Sequence, residues 1–158
     1  MKWTDIFVSI FLIWLIQLLF ADLLSIGTIR PDFPLILILY LSVMYGRFIG
    51  ILCGFLLGLL VDLSGTALFF GLLPLTYSIT GYLAGNLKDT YNKISPLLFS
   101  LSWVSIILFQ FFIFCIVQYQ YLWVTNKNIF FGKLFGTCIY TIAFVTILQF
   151  LYPIHRNN

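Results

Sequence analysis

Glutamate is missing from this chain, histidine occurs once, and acidic and basic side chains together make up only 8% of its 158 residues. Soluble domains carry about 25% charged residues, so a surface facing water on all sides is excluded. The single His155 and three cysteines, Cys53, Cys115 and Cys138, isolated in different apolar stretches without paired spacing, cannot make an ordinary metal site. The cysteines read as small apolar fillers. Five aspartates scattered along the chain supply no pair of carboxylates arranged with a base, and neither a phosphate-cradling glycine loop nor a serine elbow is present. Enzymatic chemistry, a cofactor, a metal and a nucleic-acid partner therefore have no candidate residues.

What is abundant is apolar surface. Hydrophobic residues account for 62% of the chain and aromatics for 20%. No acidic or basic residue falls within 6–21, 33–46, 48–61, 63–87, 94–126 or 134–155, and a helix of about 20 such residues crosses a bilayer. Unpaired amides in hydrocarbon cost several kcal/mol each, and the alternating pattern of a barrel is absent, so helices are the expected solution. The reading is a single all-α integral membrane domain over residues 1–158, with spans at about 6–26, 34–45, 48–63, 67–86, 96–118 and 131–151. The first apolar stretch is longer than a secretory h-region and lacks a small-residue cleavage site, so it is expected to be retained.

Local signals set these boundaries. Arg30-Pro31-Asp32-Phe33-Pro34 cannot continue a helix and feeds the second span, with proline suited to its first turn. Tyr45-Gly46-Arg47 separates spans two and three. The alternative is one bent helix from 34 to 63 with Arg47 at mid-membrane, which costs about 2.5–3.5 kcal/mol even on the lenient insertion scale, so six spans are favoured over five. Pro74 predicts a kink in the fourth span. Ser95-Pro96 makes a cap and first turn for the fifth. The run 94–126 would stretch about 50 Å as helix, so the fifth span is expected to emerge near Gln118 into an interfacial aromatic girdle of Tyr119, Tyr121 and Trp123. Gln17, Gln110 and Gln149 lie inside spans, where each amide would seek a cross-helix hydrogen bond.

Gly46, Gly50, Gly54, Gly58 and Asp62 recur every four residues. On a helix this spacing draws one ridge without side chains, where another backbone can approach closely. The ridge serves either a neighbouring helix of the same chain or a groove for a different protein. Gly81/Gly85 and Gly132/Gly136 repeat the interval once each and read as contacts within the chain. Asp62 is either a functional intramembrane acid or a boundary residue that pairs with Arg30 or binds loop amides. Asp22, Arg30, Asp32 and Asp62 fall toward one membrane face and form the only charge cluster the sequence predicts.

With the N-terminus in the cytoplasm, Lys2, Arg47, Lys88, Lys93 and Arg156 lie inside and Arg30, Lys127 and Lys133 outside. This agrees with the positive-inside rule and puts both termini in the cytoplasm, with the polar cluster on the outer face.

The segment from Arg30 to Asp89 resembles the rod shape-determining protein MreD family. The resemblance rests on Pro31-Asp32-Phe33-Pro34, Gly46-Arg47-Phe48-Ile49-Gly50, Gly54 through Leu63 with its terminal Val61-Asp62-Leu63, Gly71-Leu72 and Gly81-Tyr82-Leu83-Ala84-Gly85. It implies a non-enzymatic scaffold in the bacterial inner membrane that works with MreC, the MreB filament, RodA and penicillin-binding protein 2 in peptidoglycan synthesis. It also implies a fold similar to the S-components of energy-coupling-factor vitamin transporters, although fold analogy does not carry ligand binding with it. The rival reading is such an S-component, whose pocket would draw on Asp22, Arg30, Asp32, Asp62 and Gln118.

Overall fold

A computed structural model describes residues 3–27, 29–65, 69–88, 90 and 95–151. These form seven helices: α1 (Trp3–Phe20), α2 (Phe33–Tyr45), α3 (Arg47–Leu63), α4 (Leu72–Gly85), α5 (Pro96–Gln118), α6 (Gln120–Thr125) and α7 (Lys127–Leu151). Helices α5 and α7 each hold a stretch long and apolar enough to cross a bilayer, Pro96–Gln118 and Lys127–Phe150; α1 and α2 supply shorter apolar stretches.

Where polar residues punctuate the chain, the elements begin as their caps dictate. Asp32 accepts the Leu35 amide at 3.0 Å with Pro34 in the first turn of α2, and Ser95 accepts the Leu98 amide at 3.4 Å ahead of Pro96 in α5. These side chains satisfy donors that the first turn leaves without partners. Gly46 ends α2 and starts α3 with φ +95° and ψ −176°, a region essentially confined to glycine. Residues 34–63 are thus two helices, with Arg47 at the head of the second and its guanidinium 5.8 Å from the Tyr82 ring centroid.

Elsewhere the uninterrupted apolar composition misplaces the ends. Helix α1 stops at Phe20 rather than near residue 26; the chain then turns back, and Ile26 and Ile29 exchange backbone hydrogen bonds across Gly27. Helix α4 starts at Leu72, which places Pro74 in its first turn, where a missing amide hydrogen costs nothing; the expected mid-helix kink has no cause. Residues 120–125 form a helix of their own, and α7 begins four residues before the expected 131. The aromatic girdle lies on this short helix and its junctions: Trp123 meets Phe130 edge-on with centroids 5.0 Å apart, while Tyr121 is exposed.

Helices α2, α3 and α4 pack on one another, α1 lies against α2 and α3, α5 against α4, and α7 against α5 and α2. Leu35, Ile38, Leu39, Leu57, Ile107 and Phe130 are fully enclosed among them. Outward, Phe7, Phe11, Phe55, Leu75, Leu101 and Phe150 are exposed. Apolar surface on this scale is consistent with a face turned to lipid.

Candidate functional site

The glycine ridge meets α4. A Cβ built on Gly50 would lie 2.5 Å from the Gly81 carbonyl oxygen, one on Gly54 2.6 Å from the Tyr77 carbonyl carbon, and one on Gly58 2.7 Å from the Leu73 carbonyl carbon. One on Gly85 would lie 2.5 Å from Arg47 Cα. The two helices run antiparallel with matching four-residue steps, and backbone touches backbone because no side chain separates them. Helix α4 fills the groove. Gly46 departs from the expected ridge: it is the hinge ahead of α3, and a Cβ there would meet the Lys88 side chain at 3.2 Å. The second minor pair divides, since Gly136 abuts the Ile29 side chain while Gly132 faces open space.

At the far end of the ridge Asp62, buried, accepts the Gly71 amide at 2.6 Å and a backbone hydrogen bond from Leu73. The acid therefore caps the start of α4, whose first amides carry the positive end of the helix dipole. It binds loop amides, as one of its two expected roles has it, and Arg30 pairs with Asp22 at 2.9 Å instead. Asp62 Oδ1 has no partner among the described residues.

The polar residues of this end fall into separate arrangements. Tyr77 donates its hydroxyl to Asp32, with 2.7 Å to each carboxylate oxygen. Gln17 holds the loop before α2 from both sides, donating to the Pro31 carbonyl at 3.3 Å and accepting from the Phe33 amide at 3.1 Å. Trp14 donates to the Leu60 carbonyl at 3.1 Å and to Ser64 Oγ at 3.0 Å, which ties α1 to the end of α3. Burial of Asp32, in the loop ahead of α2, raises its carboxyl from 3.8 to about 6 against the opposing pull of the Leu35 amide and the Tyr77 hydroxyl. Desolvation also raises the Tyr119 phenol at the α5–α6 junction.

Between these groups lies a cavity of about 390 Å³. Arg30 and Lys133 stand at it from two different elements, Asp32 and Tyr77 on one wall, Phe111 and Phe114 on another. Lys133 Nζ sits 4.4 Å from the Tyr119 ring centroid. Of the four residues expected to cluster, Arg30 and Asp32 line this cavity; Asp22 lines a neighbouring space of about 60 Å³, and Asp62 lines neither. Tyr77, Lys133 and Tyr119 are absent from the sequence-derived set. A tyrosine in an apolar helix needs an acceptor when buried, which was the available signal for Tyr77. Nothing in spacing marks Lys133. Gln110, expected to bond across helices, is buried with both amide atoms unpartnered among the described residues.

Short caps, a backbone-to-backbone helix pair and an apolar exterior describe a helical protein of membrane character, and among its described residues no three His, Cys, Asp or Glu gather where they could hold a metal ion. The family model for rod shape-determining protein MreD matches residues 2–154, so the chain belongs to the MreD family of cell-shape proteins. The match extends well past the Arg30–Asp89 segment that carries the quoted motifs. No curated protein and no solved structure matches the chain.

Proposed function

We propose that this protein is a non-enzymatic, multi-pass scaffold of the bacterial elongation machinery, crossing the inner membrane six times through α1–α5 and α7. In this reading it joins MreC and MreB to the peptidoglycan synthases RodA and penicillin-binding protein 2. The family match over residues 2–154 carries the reading. The charge pattern supports it: Arg47 and Lys88 stand at the end of the bundle assigned to the cytoplasm, while Lys2, Lys93 and Arg156 lie outside the described residues. Because α4 occupies the glycine groove, a partner helix is assigned to the outward apolar faces beside it, and the α3–α4 pair acts as a stiff frame.

Depletion of the protein followed by microscopy tests this role. Elongated cells are expected to round up and recover when the wild-type chain is restored; cells that keep their shape would remove the proposal. The vitamin-binding alternative has the 390 Å³ cavity in its favour, a size at the low end for small-ligand sites. A vitamin retained through purification would decide for it.

A further inference from the structure

The cavity is built like a receptacle for a molecule with two different ends. Its cations come from separate elements, Arg30 from the loop ahead of α2 and Lys133 from the second turn of α7. Arg30 contacts Asp22 through one nitrogen, leaving most of its donors unspent. Lys133 has no acidic partner among the described residues and is held against the Tyr119 ring. The carboxylate in the wall, Asp32, is already engaged by the Tyr77 hydroxyl and the Leu35 amide. Two cations thus stand near two carboxylates, but among the described residues only Arg30 is paired directly, with Asp22, which leaves Lys133 and the remaining Arg30 donors for a guest.

Below that mouth aromatic residues line one side, while Asp32, Tyr77 and Thr137 keep part of the lining polar. Along α5 it passes from Tyr119 to Phe114 and Phe111, a descent of about 12 Å at the helical rise. Val61, near the end of α3, and Leu73, at the start of α4, line the cavity as well. A free anion would leave the aromatic depth unfilled, and a purely apolar guest would leave Lys133 without an anionic partner. The volume suits a phosphate head with the first part of its chains, not a whole lipid.

We propose that this cavity binds the anionic headgroup of a membrane phospholipid, with Arg30 and Lys133 on the phosphate and Phe111, Phe114, Val61 and Leu73 around the adjoining apolar part. Charge-assisted contacts to phosphate are among the stronger hydrogen bonds.

The test uses the full chain, purified in mild detergent, stripped of lipid, and titrated separately with dioctanoyl phosphatidylglycerol, dioctanoyl phosphatidylcholine and inorganic phosphate. Thermal unfolding and native mass spectrometry are read together. Phosphatidylglycerol is expected to raise the unfolding temperature and leave one bound molecule, with the other two giving little. Arg30→Gln and Lys133→Gln should each weaken that binding about tenfold, equivalent to about 1.4 kcal/mol, while Lys133→Arg retains it. Lys127→Gln, which removes a cation near the same end but outside the cavity, should leave binding unchanged. Equal protection by phosphatidylcholine, equal protection by inorganic phosphate, or full binding by both glutamine variants would each overturn the proposal. Should Lys133→Gln fail to fold, the comparison of the three ligands on the wild type and on Arg30→Gln decides.

Discussion

Gly50 and Gly81 meet backbone to backbone at the crossing of α3 and α4, each lying where the other's Cβ would have to be. Neither helix can move away without uncovering Gly54 from Tyr77 and Gly58 from Pro74, because the three contacts share one register. The pair therefore behaves as a single unit, and damage at one step is felt along the ridge.

Gly54→Ala should accordingly destabilise the protein by about 3 kcal/mol or more, at the upper end of overpacking costs, because the obstructing atoms are backbone. Gly132→Ala is the matched control. It adds the same methyl into open space on α7 and should leave stability unchanged or raise it by about 0.5–1 kcal/mol. Thermal unfolding in detergent of the two variants reads the difference, and a similar response from both would contradict the backbone contact.

Gly46→Ala is expected to cost about 1–3 kcal/mol through backbone strain alone, since its φ and ψ are closed to other residues. The Lys88 side chain nearby can move aside. Lys88→Ala should therefore fail to rescue Gly46→Ala, as measured by unfolding of the single and double variants.

Asp32 makes stability depend on pH. Its carboxyl is raised from 3.8 to about 6 by burial, so the folded protein holds a proton there that the unfolded chain has released. Stability should be greatest below about pH 4, decline between pH 4 and 6, and level off above, by on the order of 3 kcal/mol at most. Asp32→Asn keeps an acceptor for Tyr77 and Leu35 and should flatten this decline, which unfolding temperatures from pH 4 to 7.5 will show.

The hydroxyl of Tyr77 and the carboxyl of Asp32 should prove coupled. Tyr77→Phe and Asp32→Asn measured singly and together in a double-mutant cycle are expected to give an interaction energy of about 1–3 kcal/mol. Additive effects would mean that the 2.7 Å contacts contribute nothing of their own.

For Asp62, the capping geometry predicts that Asn, which retains an acceptor for the Gly71 amide, folds and restores cell shape. Asp62→Ala leaves buried amides unpaired and should lose about 1–3 kcal/mol. Failure of the Asn variant to complement at normal protein level would instead assign the charge a functional role.

The sequence was legible where polar residues interrupt it. Asp32 with Pro34, Gly46, and Ser95 with Pro96 each mark a helix end through a local hydrogen bond or a backbone conformation, and α2, α3 and α5 start within one residue of expectation. The glycine interval announced a close-packed helix face. Its matching face on α4 was only half visible, because Tyr77 and Pro74 take part through backbone atoms, which composition does not record. The ends of α1 and the start of α7 were hidden for a different reason. In an apolar solvent no alternation between wet and dry positions tells a helix from a turn, so Leu23 and Leu24 read like their helical neighbours. Lys133 entered the cavity through the tertiary arrangement of α7 and α5, which nothing in its own neighbourhood encodes.

On the six-crossing reading, the unequal lengths of these helices bear on the lipid around them. Helices α3 and α4, at 17 and 14 residues, reach about 26 and 21 Å, whereas α5 and α7, at 23 and 25 residues, reach about 35 and 38 Å. Against a hydrocarbon layer of about 30 Å, the short pair favours a thinned bilayer or close association beside it, and the long pair favours tilt or a thicker one. That lopsided mismatch gives the molecule a preferred side for company: any neighbour with similarly short helices relieves the pinched bilayer by sitting against α3 and α4.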